Sequence, residues 1–179
     1  HVFTQPANVQ QNILRVTRHI AEKLRAQGVA DISRRTLTLI LTQEGEPVYN
    51  DVEGNWWRMY VFVEGAQTYD QIQSTAQAEL VGEAFADFQN MVADLTEPRL
   101  HETIPNFHNT VKRYETLVAA IEKDAFNRAK DVKAEIDFVT ARANTFGRLL
   151  ERCAKGEIPE RITHNDTKLN NVMIDDATG

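Results

Sequence analysis

A single cysteine, Cys153, excludes an internal disulfide framework and any zinc site built from several thiolates. Its helical spacing from Phe146 and Leu149 makes it an expected small buried hydrophobe. No apolar run approaches bilayer length, and the first residues lack the basic-then-apolar order of a signal peptide, so a cytoplasmic protein with no membrane partner is the default. Positive charge is scarce: 20 Lys and Arg face 26 Asp and Glu, for a net charge of -6, which leaves no basic stripe for a phosphate backbone and no nucleic acid partner. Internal repeats and low-complexity linkers are also missing. What is present is 42% hydrophobic content in 179 residues, enough for a sizeable core.

The apolar residues are periodic. Val9, Ile13, Val16, Ile20 and Leu24 recur at three and four, predicting one amphipathic helix over Pro6 to Gln27, with Gly28 as a stop and a sheet as its partner. Thr36 to Thr42 is rich in β-branched residues, Gly45 and Pro47 mark a turn, and Trp56 to Val63 is an apolar, aromatic strand candidate. From Ser74 the period becomes helical: Leu80, Val81, Ala84, Phe85, Phe88, Met91, Val92 and Leu95 form one broad face, expected to be buried. Val111, Tyr114, Val118 and Ile121 predict a further helix. Phe126 to Cys153 reads as one long helix with Ile136, Val139, Ala143, Phe146 and Leu150 inward. A helix bundle is the alternative, but the strands before these helices favour α+β.

The densest chemistry lies near the end, in His164-Asn165-Asp166-Thr167-Lys168-Leu169-Asn170-Asn171, spaced H-x-D-x-K-x-x-N. Pro159, Ile162 and Thr163 favour extended chain before it, and Val172-Met173-Ile174 is a second apolar run before the turn Asp175 to Gly179. Phosphoryl transfer needs a carboxylate to orient and receive a hydroxyl proton, a neutral oxygen ligand for magnesium, and a cation near the transferring phosphate. A loop with Asp166, Asn171 and Lys168 at these offsets supplies all three, whereas composition alone would favour a solvated loop whose Asn and Asp residues merely make turns.

At these residues the chain resembles the aminoglycoside phosphotransferase and choline kinase-like superfamily, and within it most the N-acetylhexosamine 1-kinases. Gln11-Asn12-Ile13 with Val16-Thr17, Leu100 through Ile104-Pro105-Asn106-Phe107-His108, and Pro159 through Asp166 carry the same resemblance. It implies a protein kinase-like two-lobed α+β fold, with a partial small lobe and hinge strand over 1–65 and a partial helical large lobe over 66–179. It also implies ATP- and magnesium-dependent transfer of the γ-phosphate to a sugar hydroxyl: Asp166 as catalytic base, Lys168 as catalytic phosphate contact, Asn171 as metal ligand, and His164 as the structural residue of the loop. Glu64, Gly65 and Ala66 would be a hinge whose backbone reads adenine, although a plain strand-to-helix connection fits the same residues. His108 is a candidate sugar ligand or a merely satisfied histidine.

The family's glycine-rich phosphate loop, strand Lys and second metal-binding Asp are expected before His1 and after Gly179, with Asp175 and Asp176 too early to replace the last. Residues 1–179 alone are therefore expected to be an inactive piece that self-associates through exposed strand edges. The alternative is a non-catalytic helical interaction module on the kinase scaffold. Glu22 lies opposite the apolar stripe of its helix and reads as solvated. Trp56 and Trp57, being adjacent, place at most one ring in a core if extended. His101, Glu102 and His108 match no strong zinc signature.

Overall fold

The structure, a computed structural model, describes residues 5–178, so His1 and Gly179 lie outside it. It is mixed α+β: a long helix, short antiparallel strands, then a helical region. Residues 5–103 with 161–178 form one compact unit and 104–160 a second.

In the first unit, α1 (Pro6–Ala26) begins with Pro at its first position, where the missing N–H costs nothing. Its end is set by Gly28 at φ +76: the Val29 N–H reaches the Leu24 carbonyl and the Gly28 N–H the Arg25 carbonyl, both at 3.0 Å. This paired closure requires a left-handed residue that glycine adopts without strain, and it turns Val29 back onto the helix. The stripe of α1 does not lie against a sheet, as its pattern suggests. It packs instead on α2 (Thr75–Val92), where Ile20, Leu24 and Val92 are buried and Val16, Val29, Ile32, Phe88, Met91 and Ile162 close around them. Each fully buried side chain of this kind contributes about 1.5–3 kcal/mol.

Polar contacts fix the same helix pair. Lys23 donates to the Met91 carbonyl at 2.9 Å and to the Asp94 carboxylate, and His19 Nε2 lies 2.9 Å from Asp94 Oδ1. These donors hold the Asp94 pKa at about 2. Asn12 clamps the backbone of His101 through both ends of its amide, accepting at 2.9 Å and donating at 2.8 Å. The broad α2 face is less buried than its pattern suggests, with only Val92 enclosed and Leu80 and Ala84 exposed.

The strands are shorter than expected. β1 (Leu39–Ile40), β2 (Tyr49–Asn50), β3 (Trp56–Trp57) and β4 (Met59–Tyr60) form two antiparallel ladders, β1 with β4 and β2 with β3. The expected strand Trp56 to Val63 is divided at Arg58 because its two halves pair with different partners. Neither tryptophan is core: Trp56 and Trp57 are 48% and 59% exposed, and the Trp57 indole donates to Asp51 Oδ2 at 2.8 Å. Asp51 also takes the Glu53 and Asn55 amides, which builds the turn between β2 and β3 and holds its pKa at about 2. β5 (Ala66–Gln67) pairs with β6 (Ile174–Asp175), the strand that comes after the H-x-D-x-K-x-x-N loop.

In the second unit, Asn109 caps α3 (Thr110–Lys123) by accepting from the Lys112 N–H. The expected long helix over Phe126 to Cys153 is broken into a 3-10 turn at Ala129–Val132, α4 (Lys133–Thr140), a 3-10 turn at Ala143–Thr145 and α5 (Arg148–Ala154). Three local features break it. Asp124 accepts from the Arg128 and Ala129 amides, Asn127 sits at φ +53, and Arg142 donates to the Phe138 carbonyl at 2.8 Å, capping α4. The helical phase linking Phe146 to Cys153 is lost with the break, and Cys153 is exposed instead of buried.

Candidate active site

The loop is set by its own short-range bonds. Thr163 Oγ1 donates to Asn165 Oδ1 at 2.7 Å, and Asn165 takes φ +63, a left-handed position that Asn tolerates, so the chain turns sharply into Asp166. The His164 ring meets Phe85 and Phe88 of α2 edge-on, at centroid distances of 5.4 and 5.7 Å, which anchors the loop to the helix. A 3-10 turn over Leu169–Asn171 then folds Asn171 back onto Asp166. Asn171 Nδ2 donates to Asp166 Oδ2 at 2.8 Å and to its backbone carbonyl at 2.7 Å, and Lys168 Nζ lies 3.5 Å from the same Oδ2. The Asn171 hydrogen bond, aided by the Lys168 charge and opposed by desolvation, lowers the Asp166 pKa. Asp166 is therefore ionised and able to accept a proton.

The same contacts occupy one end of the Asn171 amide. Asn171 spends its NH2 group on Asp166, and its Oδ1 takes no part in those bonds. Among the described residues no three His, Cys, Asp or Glu side chains converge into a metal cage. Magnesium fits this donor set, since it takes one or two protein oxygens and fills its shell with water and phosphate oxygens.

Downstream, the loop is tied to the segment 64–70. Asn170 Nδ2 donates to Asp70 Oδ1 at 3.0 Å, β6 pairs with β5, the Asp176 N–H donates to the Gly65 carbonyl at 2.9 Å, and Gln67 Nε2 donates to Asp176 Oδ1 at 2.9 Å. Gly65 sits at φ +62 with open space around it, so glycine is required there by backbone conformation, not by a close neighbour. The Glu64 carbonyl accepts from Arg34. The carbonyls of Glu64 and Gly65, residues expected in the hinge, thus each accept a hydrogen bond from within the protein.

The model of the phosphotransferase enzyme family, APH, matches residues 10–179, a span that includes most of α1, the segment 64–70 and the loop with Asp166 and Asn171. The chain belongs to this family. Membership in the APH family, the aminoglycoside phosphotransferase and choline kinase-like group, carries with it a kinase-like fold and phosphotransferase chemistry.

Of the other residues singled out in this APH-family chain, His108 belongs to the unit 104–160. Its ring meets Phe107 edge-on at 4.9 Å, in an open groove of about 430 Å³ lined also by Thr110, Arg113, Tyr114 and Phe146. Glu22 is exposed, as its helical phase implies. Sequence reasoning missed Arg34, Asp70 and the aromatic seat of His164. Only the last had a local signal, Phe85 and Phe88 spaced three apart on a helix. No described helix is long and apolar enough to cross a membrane.

Proposed function

We propose that this phosphotransferase is an ATP- and magnesium-dependent kinase acting on a hydroxyl of a sugar, with an N-acetylated hexosamine as acceptor. One observation carries the reading: Asn171 holds Asp166 by its NH2 group, 2.8 Å from Oδ2, so that one short loop presents an ionised carboxylate and an amide oxygen together. Asp166 Oδ2 carries the Asn171 and Lys168 contacts, which leaves Oδ1 to accept from the acceptor hydroxyl. The hydroxyl oxygen attacks the γ-phosphorus as the bond to the β–γ bridging oxygen breaks. Its proton passes to Asp166, and the leaving electron pair goes with ADP. Asn171 Oδ1 would hold magnesium in part, which when bound would neutralise phosphate charge, and Lys168 contacts the transferring group. His164 acts through its two phenylalanines to keep Asp166 in place, so most of the rate comes from positioning.

On this reading Glu64, Gly65 and Ala66 form the nucleotide hinge between lobes over 1–65 and 66–179, and His108 contacts the sugar. The N-acetylhexosamine assignment rests on the stretches 11–17, 100–108 and 159–173. A cytoplasmic setting, where ATP is available, goes with it. The test, in a protein extended by the phosphate loop, strand Lys and second Asp expected outside residues 1–179, is a panel of N-acetylhexosamines, other sugars, choline and an aminoglycoside with magnesium and ATP, read by mass spectrometry. Phosphorylation of an N-acetylhexosamine is expected, and turnover of choline or an aminoglycoside alone would refute the acceptor. Exposed Trp56, Trp57 and Phe62 favour the second reading, a non-catalytic interaction module. That reading requires no turnover of any acceptor in the panel.

A further inference from the structure

Arg34 closes the 3-10 turn Ile32–Arg34 that comes after α1, and its guanidinium bridges two distant segments. Nη1 donates to the Glu64 carbonyl and Nη2 to Asp175 Oδ2. Its two acceptors are already neighbours through other bonds. Ala66 faces Asp175 across the β5–β6 ladder, and the Asp176 N–H donates to the Gly65 carbonyl at 2.9 Å. Asp175 is itself locked: Oδ1 accepts the Ala177 and Thr178 amides at 2.9 Å each, so Oδ2 is the oxygen left for Arg34. The pair is half-buried, with side chains 34% and 30% exposed. Four residues upstream of Asp175 lies Asn171, which holds Asp166. A planar fork is the side chain that can grip a carbonyl and a carboxylate at once, whereas an ammonium is a single point charge.

We propose that Arg34 is a positioning residue that fixes the Glu64–Gly65 peptide unit against the strand leaving the catalytic loop, and so sets how the hinge reads the nucleotide base. This rests on the hinge role of Glu64, Gly65 and Ala66 given above. A residue that merely supported the fold would, when lost, reduce the amount of active protein equally for every nucleotide. A residue that orients the hinge peptide changes base discrimination. ATP and inosine triphosphate differ at the base position a hinge carbonyl reads, amino in one and oxo in the other, and are the probes.

Steady-state kinetics of the same extended protein as parent, and of its Arg34→Ala and Arg34→Lys variants, with the two nucleotides test it, with an N-acetylhexosamine as acceptor. Loss of a charge-assisted hydrogen bond to the hinge should raise the ATP KM about tenfold in Arg34→Ala and reduce the preference for ATP over inosine triphosphate by about the same factor, with acceptor KM unchanged. Arg34→Lys should fall between the two. Unchanged KM and preference in a folded Arg34→Ala, or an equal fall in turnover with both nucleotides, would overturn the proposal. If Arg34→Ala does not fold, Asp175→Asn replaces it, since its amide oxygen still accepts from the turn while the ion pair is lost. A smaller shift in the same direction is expected, and an unchanged preference overturns the idea. A parent that does not distinguish the two nucleotides removes the hinge reading and with it this proposal. Amide exchange separates that failure from one of the clamp itself, because the Asp176 N–H, bonded to Gly65, should lose protection in Arg34→Ala whatever the nucleotide.

Discussion

Asp166→Asn replaces a carboxylate by an amide of nearly the same shape, and the contacts of Asp166 dictate which way the new amide faces. Asn171 Nδ2 donates to Oδ2 at 2.8 Å, so the substituted amide must turn its oxygen toward Asn171 to keep that bond. Its NH2 group then occupies the place of Oδ1. A donor stands where the acceptor hydroxyl needs an acceptor. The Asn171 bond survives, and the ion pair to Lys168 at 3.5 Å is lost, but both side chains are more than half exposed, so the fold should be unaffected. The rate should not survive: removing a positioned base costs on the order of 10²- to 10⁴-fold in turnover. Release of ADP by the extended protein at saturating ATP, magnesium and acceptor measures it, with thermal melts showing equal stability. Because the Asp166 pKa is lowered from 3.8, the base is ionised above the ordinary carboxylate range, and no acid limb of turnover above that range belongs to it. Turnover within about fivefold of the parent, far short of a general base's contribution, would refute the assignment and leave Asp166 as a loop-building residue.

Asn171→Ala removes both the proposed metal oxygen and the bond that holds Asp166, so the magnesium requirement should rise as turnover falls, which a magnesium titration at saturating ATP reads directly. An unchanged metal dependence would reduce Asn171 to a turn residue. Leu24→Ala opens the small core shared by Ile20 and Val92 and should cost about 2–5 kcal/mol in a urea titration, a large share of the total stability of an ordinary domain. Acid should act in part through Asp94, whose pKa near 2, like that of Asp51, lies below its ordinary value of 3.8. A depressed carboxylate stabilises fully above the unfolded value, and that contribution disappears as pH falls through the folded one. Melting temperature should therefore drop between about pH 4 and pH 2, and Asp94→Asn should flatten the drop.

The loop over 163–171 was legible as a loop because the bonds within it are local: Thr163 to Asn165, Asn171 to Asp166 and Lys168 to Asp166 span five positions or fewer, whereas its anchors on Phe85, Phe88 and Asp70 are distant. α1 was legible for the same reason, from its apolar spacing and the glycine stop. What that stripe faces was not, since a periodic face does not name its partner, and α2 filled the place expected of a sheet. The long helix over 126–153 failed where side chains compete for backbone groups: Asp124 and Arg142 each satisfy amides or carbonyls that a continuous helix would use. Arg34 gave no signal at all. Its two partners lie 30 and 141 positions away, and a basic residue in a polar connection looks like any solvated one.

The pairing of β5 with β6 has a consequence for how the molecule is made. Gln67 and Asp176, joined by a hydrogen bond, are 109 positions apart in the chain, and the unit 104–160 lies wholly between them. During synthesis that unit leaves the ribosome before its flanking partner strand exists, and its helices, built from near neighbours, form early. The ladder must wait for residues 174–175 and for closure of the long intervening loop. The Asp166 carboxylate and Asn171 amide, lying just upstream of β6 in a loop tied to segment 64–70, are thus expected to gain their fixed arrangement late in folding. Pulse-labelled amide exchange during refolding would show the Asp176 N–H protected after the amides of α3, and simultaneous protection would contradict this order.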